Sequence, residues 1–221
     1  MTITKELVDN AISSDDELSA IGKRATFIPV YGNDVTAIGD NAFEGFSEMS
    51  VFMLPAELQK IGNYAFSKCI ALSSVDISQT EVSSIGAYAY QQCSSIQDIC
   101  LPNTGVICAD NYAFLKCTSL SCISSDADIL LGDHVFNSCN SLSTTLAIPH
   151  VKSVGNFCFI ESGIMSAMLD ECEFVNLYAF SPCAAVKHVS FGKLLSACGN
   201  MTYMPDAMFD EVYNLTCVNM P

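Results

Sequence analysis

The sequence has no tryptophan and few basic residues. Lys and Arg together number 9 against 24 Asp and Glu, which gives a net charge of −15 and a pI near 4.2. Because phosphates and anionic lipid headgroups do not attract such a surface, we expect neither nucleic acid nor an anionic membrane surface as a partner. Membrane insertion is not expected either, since the chain has no long apolar run. Half of the residues are hydrophobic, so the chain has enough apolar side chains for a large core and is not expected to be disordered.

Long apolar runs are also missing. No segment approaches the roughly 18 apolar residues that a membrane span needs. The first residues, MTITKELVDNAISSDDELSA, lack the apolar stretch of a secretory signal. Two localisations stay open: a cell-surface or secreted protein whose leader lies upstream of Met1, or a cytoplasmic protein that starts at Met1.

The chain does contain one sequence motif that repeats along its length. IGNYAFSKCIALSSV (61–75) returns as IGAYAYQQCSSIQDI (85–99) and as NYAFLKCTSLSCI (111–123). The aromatic residue of the motif recurs at steps of 21 to 29 residues, at Phe43, Phe66, Tyr90, Phe114, Phe136, Phe159, Phe180 and Phe209. The residue three positions later is usually cysteine, and the residue six positions later is always apolar. Such repetition indicates architecture, because a catalytic site is needed only once.

Each copy of the motif is flanked by two apolar patterns. After the aromatic residue comes L-x-x-I-x-L, as in SIQDICLP, and apolar residues two apart predict a short strand. Before it comes V-x-x-I-G, as at Val82, Ile85 and Gly86. The segment from that glycine to the cysteine is long enough for one or two helical turns. We predict a unit of strand, loop, short helical or 3₁₀ segment and return, which must stack on its neighbours to bury its apolar edge.

The full pattern, C-x-x-L-x-x-I-x-L-P…V-x-x-I-G-x-x-A-F, resembles the BspA-type (Treponema-like) leucine-rich repeats from about Val35 to Pro221. The resemblance implies an α/β repeat fold: a right-handed leucine-rich-repeat solenoid with a parallel concave β-sheet and short helical or 3₁₀ segments on the convex side. It also implies a recognition function, since members of this family are commonly surface-exposed or secreted proteins involved in adhesion to host proteins or cells.

The chain divides into two parts on this interpretation. Residues 1–34 form an N-terminal cap, with a helix over about 4–21 whose first turn Thr4 caps, followed by an opening strand. Residues 35–221 form an array of about eight repeats. The array stops just after a strand, at CVNMP, so a longer parent protein continues it, a partner covers it, or the open edge self-associates.

The twelve cysteines follow the repeat and contain no CxxC pair. Four of them are predicted to form a reduced, buried column at the strand spacing: Cys69, Cys93, Cys117 and Cys139. Cys158 is predicted to lie in the core. Cys100, Cys122 and Cys217 are predicted to point to the concave face. Cys108, Cys172 and Cys198 are placed in loops, where pairing is open to them.

Motifs of known chemistry are missing. The sequence has no G-x-S-x-G, P-loop, dinucleotide fingerprint or HExxH, and its three histidines lie in different repeats. We therefore predict a protein that is not an enzyme and uses no cofactor or metal. The 29-residue step between Phe180 and Phe209 predicts a protruding loop within GKLLSACGNMTYMPD.

A partner is expected to contact the strand positions that flank each buried residue of the concave sheet. Small polar residues dominate these positions, which suits a protein or glycoprotein surface better than a buried small molecule. The predicted partner-binding residues are Ser74, Asp76, Asp98, Cys100, Cys122, Ser124, Thr144, His188, Ser190 and Asn219. The leading hypothesis is surface adhesion or host-protein binding. The alternative is an intracellular scaffold that uses the same surface, which free thiols would suit.

Overall fold

In the computed structural model, the chain forms a solenoid of short parallel strands. The structure describes residues 2–4, 6–8, 35–50, 54–142, 145–146, 150–176, 178–191, 196–197 and 217–219. The strands in chain order are β1 (Thr2–Ile3), β2 (Ala37–Ile38), β3 (Lys60–Ile61), β4 (Ser74–Asp76), β5 (Ser84–Ile85), β6 (Asp98–Cys100), β7 (Val106–Ala109), β8 (Cys122–Ser124), β9 (Asp128–Leu131), β10 (Thr145–Leu146), β11 (Val151–Val154), β12 (Ser166–Met168), β13 (Phe174–Val175), β14 (His188–Ser190), β15 (Ser196–Ala197) and β16 (Cys217–Asn219). Among these residues, only 6–8 are α-helical.

The strands form two sets that alternate along the chain. The L-x-x-I-x-L segments build the front sheet, the one predicted to be concave, in two sections with strand orders β4-β6-β8 and β10-β12-β14-β16. The V-x-x-I-G segments and β1 build the back sheet, with strand order β1-β2-β3-β5-β7-β9-β11-β13-β15. Neighbouring strands come from successive coils and pair in parallel. The predicted leucine-rich-repeat solenoid with a parallel sheet is confirmed.

Sequence reasoning misses the back sheet. Val82 and Ile85 are three residues apart, so the V-x-x-I-G pattern shows no strand alternation. Strand pairing arises here because stacking brings the same position of each coil into register, as at Ile61 and Ile85, both fully buried. The strands are therefore only two to four residues long.

The segment between the glycine and the cysteine is a run of tight turns. The Ser67 amide donates to the Tyr64 carbonyl and the Cys69 amide to the Phe66 carbonyl, both at 3.1 Å. These are the i→i+3 hydrogen bonds of 3₁₀ geometry. Tyr64 and Lys68 have φ of +55° and +64°, and left-handed residues at this spacing stop a right-handed helix from forming. The predicted helical or 3₁₀ segment is thus a series of 3₁₀-like turns.

Stacked aromatic rings run through the core. The inner aromatic stack joins seven coils, with ring centroids 5.2 to 5.8 Å apart and planes within 16° of parallel. Its members are Phe43, Phe66, Tyr90, Phe114, Phe136, Phe159 and Phe180. Phe66 is 1% exposed, and the neighbouring Ala65 is fully buried where the coils approach. This confirms that the aromatic residue of the motif fills the solenoid interior.

The predicted cysteine column lies beside this stack and is confirmed. All four thiols of the column are fully buried, and each donates to a backbone carbonyl of the preceding coil at 3.0 to 3.2 Å. The donor–acceptor pairs are Cys69–Phe43, Cys93–Phe66, Cys117–Tyr90 and Cys139–Phe114. Burial raises the pKa of Cys139 to about 12, so the thiol stays protonated and unreactive at neutral pH.

The remaining cysteines lie in part where the sequence predicted and in part elsewhere. Cys158 is buried as predicted, and the ten cysteines whose side chains the structure describes are all free thiols. Cys108 lies exposed on β7, not in a loop, and Cys172 is fully buried. Cys172 precedes β13, three strands from β7 in the sheet order, so the two are roughly 14 Å apart at the usual strand spacing. That separation excludes the Cys108–Cys172 pairing considered above; Cys198 lies outside the described residues.

Only part of the predicted N-terminal cap is described. The Leu7 amide donates to Thr4 Oγ1 at 3.3 Å, so Thr4 caps the first helical turn as predicted. Thr2 pairs with Ala37, which places β1 beside the first coil of the array. Residues 9–34 of the cap and the predicted loop within GKLLSACGNMTYMPD, apart from 196–197, lie outside the described residues.

Candidate recognition face

The first section of the front sheet presents two straight rows of side chains. One row is Ser74, Asp98 and Cys122, and the other is Asp76, Cys100 and Ser124. Five of these residues are exposed and Cys100 is half-buried, whereas the intervening Val75, Ile99 and Ile123 are buried. The structure therefore brings six of the ten predicted site residues together on one outward surface.

The second section extends the same pattern. His188 pairs with Ser166 and Cys217, and Ser190 pairs with Met168 and Asn219. His188 is exposed and Ser190 is half-buried. Asn219 has the predicted strand position on β16. Thr144 lies outside the described residues, although Thr145 next to it pairs with Ser166.

The front sheet carries negative charge. None of the outward positions on its described strands is Lys or Arg, whereas Asp76 and Asp98 occupy two of them. Ser78 donates to Asp76 Oδ1 from its hydroxyl at 2.7 Å and from its amide at 3.0 Å. These two hydrogen bonds lower the pKa of Asp76. Ser190 Oγ likewise donates to Asp170 Oδ1 at 2.9 Å, so a second carboxylate is oriented beside the sheet.

A groove opens where the two sections of the front sheet are interrupted. Ser124 ends β8 and Met168 ends β12, and β8 and β10 are not paired among the described residues. The groove has a volume of about 520 Å³. Its described lining is Ser124, Ser125, Asp126, His150, Met168, Asp170 and Glu171. Met168, 49% exposed, supplies an apolar wall beside three carboxylates.

A charged cluster borders this groove through His150 and Glu171 and joins three successive coils. Its members are Asp128, His150, Lys152 and Glu171. The Lys152 ammonium lies 3.3 Å from Asp128 Oδ1 and also bonds Glu171 Oε2. His150 Nδ1 lies 3.4 Å from the same Glu171 oxygen. The hydrogen bond to Glu171 is the largest cause that raises the pKa of Lys152, so the ammonium stays charged throughout the neutral range.

A second ladder of rings lies nearer the surface and escapes the sequence reasoning. This outer aromatic stack has ring centroids 4.5 to 5.1 Å apart. Its members are Tyr64, Tyr88, Tyr112, His134, Phe157 and Tyr178. All six are half-buried and have positive φ. The signal in the sequence is an aromatic residue or histidine two positions before the core aromatic. Burial lowers the pKa of His134, so His134 packs here as a neutral ring.

The repeats identify the family. Residues 28–142 and 110–221 match the BspA type Leucine rich repeat region, in six copies. The chain belongs to this family, whose leucine-rich repeats typically form non-catalytic surfaces that bind proteins. Among the described residues, no helix has the length and apolarity to cross a lipid bilayer.

Three solved structures are similar to this chain. A leucine-rich repeat protein from Bacteroides ovatus is 19% identical over 87% of this chain and 62% of that chain, with a TM-score of 0.43. The T. pallidum Leucine Rich Repeat protein is 21% identical over 80% of this chain and 72% of that chain, with a TM-score of 0.49. A leucine rich cell surface protein from Faecalibacterium prausnitzii is 16% identical over 85% of this chain and 77% of that chain, with a TM-score of 0.34. This chain thus spans less than two thirds of the Bacteroides ovatus chain, and no curated protein matches it significantly.

Proposed function

We propose that this chain is a non-catalytic recognition module that binds a protein or glycoprotein at a cell surface through the outward positions of the front sheet. The observation that carries the proposal is the pair of rows in the first section, Ser74–Asp98–Cys122 and Asp76–Cys100–Ser124. Small polar and acidic side chains stand there at a regular spacing on the three paired strands β4, β6 and β8. Such a surface suits an extended partner better than a small enclosed ligand.

The core behind the rows makes this face rigid before a partner arrives. Val75, Ile99 and Ile123 are buried between the outward positions, and the strands are pinned by parallel register on both sides of β6. Association then costs little ordering of the backbone, so more of the contact energy remains as affinity. Because the described outward positions include Asp but no Lys or Arg, electrostatic complementarity favours a partner surface that carries basic side chains.

One observation favours the alternative, an intracellular scaffold that uses the same face. Cys108 and Cys122 are exposed free thiols, and Cys100 is half-buried and free. Exposed thiols persist most readily in a reducing compartment. The two functions share a binding surface and differ in where the partner is met, so one experiment can test the surface and the compartment together.

The experiment places a photo-crosslinking amino acid, p-benzoylphenylalanine, at single positions of the full chain in the cells that produce it. Front-sheet positions are Ser74, Ser124 and His188. Matched controls are Lys60 and Phe174, which are exposed on back-sheet strands. We expect partner adducts from the front positions and none from the back positions. Adducts on protein labelled from outside intact cells support adhesion, and adducts confined to the cell interior support the scaffold.

Two results would contradict the proposal. Adducts of equal yield from both sheets would show non-specific proximity. Adducts only from Lys60 or Phe174 would move the binding surface to the back sheet.

A further inference from the structure

The charged cluster beside the groove combines three side chains that divalent cations accept as ligands. Asp128, His150 and Glu171 each offer one donor atom, and these atoms all lie within 4.8 Å of one another. They come from three successive coils: Asp128 begins β9, His150 directly precedes β11, and Glu171 lies shortly before β13. Sequence reasoning treats His150 as isolated, because the three residues are 22 and 21 positions apart.

Backbone pairing holds the three coils at this corner. The Ile129 amide donates to the His150 carbonyl at 2.9 Å, and the Glu173 amide donates to the Lys152 carbonyl at 2.8 Å. The ligand-bearing backbone is therefore positioned by the solenoid. Metal–ligand bonds of about 2.0–2.2 Å place neighbouring donor atoms roughly 3–3.5 Å apart. His150 Nδ1 and Glu171 Oε2 already lie 3.4 Å apart, and a pair at the 4.8 Å limit would have to approach by roughly 1.3–1.8 Å.

The cluster already attracts positive charge. The Lys152 ammonium bonds both carboxylates, whereas His150 contacts the cluster through Glu171. An ammonium group has donors only and cannot use an imidazole lone pair. A divalent cation would accept that lone pair together with both carboxylates, and it would carry one more charge than the ammonium that it displaces.

Solvent can complete the coordination. The side chains of Asp128, His150 and Glu171 are 43%, 35% and 35% exposed, and Lys152 is 22% exposed. Lys152 can therefore turn outward on its flexible stem. The adjoining groove, which His150 and Glu171 line, gives room for water ligands.

We propose that Asp128, His150 and Glu171 form a divalent-cation site that ties three coils together beside the interruption of the front sheet, and that Lys152 occupies this site when no ion is bound. One imidazole and two carboxylates suit borderline and hard divalent ions such as Zn²⁺ and Mn²⁺. The ion acts as a structural clip. It stands apart from the recognition proposal, which depends on the front rows.

The probe is Mn²⁺, because Zn²⁺ would also bind the exposed thiols. Full-length protein is titrated with Mn²⁺, and the loss of the free-ion signal is followed by electron paramagnetic resonance. We expect one saturable site and a rise in the thermal midpoint. Glu171→Gln and His150→Gln should each weaken binding at least about tenfold. Asp98→Asn, which removes a carboxylate from the front sheet, is the matched control and should leave the affinity unchanged.

The Lys152→Gln variant shows whether these residues form a cation site or an ordinary ion-pair cluster. The variant loses the competing ammonium, so Mn²⁺ should bind about tenfold or more tightly, and the ion should restore the thermal stability lost with the salt bridges. Three results would each overturn the proposal: no saturable binding, equal weakening by Asp98→Asn and Glu171→Gln, or unchanged affinity in Lys152→Gln. The last two results would assign any bound Mn²⁺ to the general negative charge of the surface.

Discussion

The Cys93 thiol donates a hydrogen bond to the Phe66 carbonyl oxygen at 3.0 Å, although the two residues are 27 positions apart in the chain. The same relationship recurs at Cys69, Cys117 and Cys139. Each of these carbonyls already accepts a hydrogen bond within its own turn, as the Phe66 carbonyl does from the Cys69 amide, and the thiol of the next coil is a second donor to it. This explains why the repeat keeps cysteine at this position: the thiol is small and apolar enough for the core and still donates a weak hydrogen bond.

The inner aromatic stack should dominate stability. Phe114 lies between Tyr90 and Phe136 in that stack and is 2% exposed. Phe114→Ala removes a buried ring and leaves a cavity, so we expect the free energy of unfolding to fall by about 3–5 kcal/mol. Urea denaturation followed by circular dichroism measures this change. Phe174→Ala is the control, since Phe174 is 52% exposed, and its effect should stay within about 0.5 kcal/mol. Equal losses in the two variants would contradict the assignment of the core.

Tyr90 is an imperfect member of the inner stack. Its hydroxyl is fully buried and has no hydrogen-bond partner among the described residues. Tyr90→Phe removes the unsatisfied hydroxyl and keeps the ring, so the free energy of unfolding should rise by about 1 kcal/mol. Thermal and urea unfolding give the comparison. Tyr112→Phe, in the half-buried outer stack, is the control and should change little. A loss of stability in Tyr90→Phe would show that the hydroxyl has a partner.

Alkaline pH should destabilise the protein through the cysteine column. Burial raises the pKa of Cys139 to about 12 and the pKa values of Cys93 and Cys117 well above the usual value, whereas thiols in the unfolded chain ionise near pH 8.5. Above that pH the unfolded state loses protons that the folded state retains. The free energy of unfolding therefore falls as pH rises from about 8.5 towards 12.

Urea denaturation at pH 7.5 and at pH 10 measures this slope. The matched variant is Cys93→Ala with Cys139→Ala, which lowers stability at both pH values but should reduce the difference between them. An unchanged difference in the variant would assign the alkaline effect to other groups.

Gly155 should tolerate no side chain. A Cβ at this position would lie 2.3 Å from the carbonyl carbon of Gly132 on the neighbouring coil. The obstacle is backbone, so relief requires the coils to separate. We expect Gly155→Ala to lower the free energy of unfolding by about 1–3 kcal/mol or more. Ser153→Ala, two residues earlier on β11, is the control and should have an effect within about 0.5 kcal/mol. Equal effects in the two variants would contradict the close approach of the coils.

Repetition makes most of this fold predictable from the sequence. The inner stack, the cysteine column and the front strands follow from apolar positions that recur at nearly constant spacing, because stacking places equivalent residues side by side. The back sheet is missed for the opposite reason. Its strands, such as Lys60–Ile61, have no alternating pattern of their own and are strands only because a neighbouring coil pairs with them.

The candidate site divides in the same way. The outward rows through Asp98 and Cys100 follow from strand alternation. The groove and the charged cluster do not follow from it. Asp128, His150 and Glu171 are 22 and 21 positions apart, and they lie outside the repeated apolar positions of the motif. The sequence pattern therefore does not show that these three residues are neighbours. Cys108 is misplaced for a related reason, since its strand lies in the sheet that the pattern does not show.

Three native thiols allow the most direct test of the recognition face. Cys100 and Cys122 lie on the front sheet, and Cys108 lies exposed on the back sheet. The measurement is the rate of maleimide labelling at each cysteine, by peptide mass spectrometry, for the purified protein and for the protein in the cells that produce it. If a partner covers the front sheet, Cys122 should be labelled in the purified protein and protected in the cells, while Cys108 is labelled at similar rates in both. Protection of Cys108 in place of Cys122, or no protection at either, would contradict recognition through the front sheet.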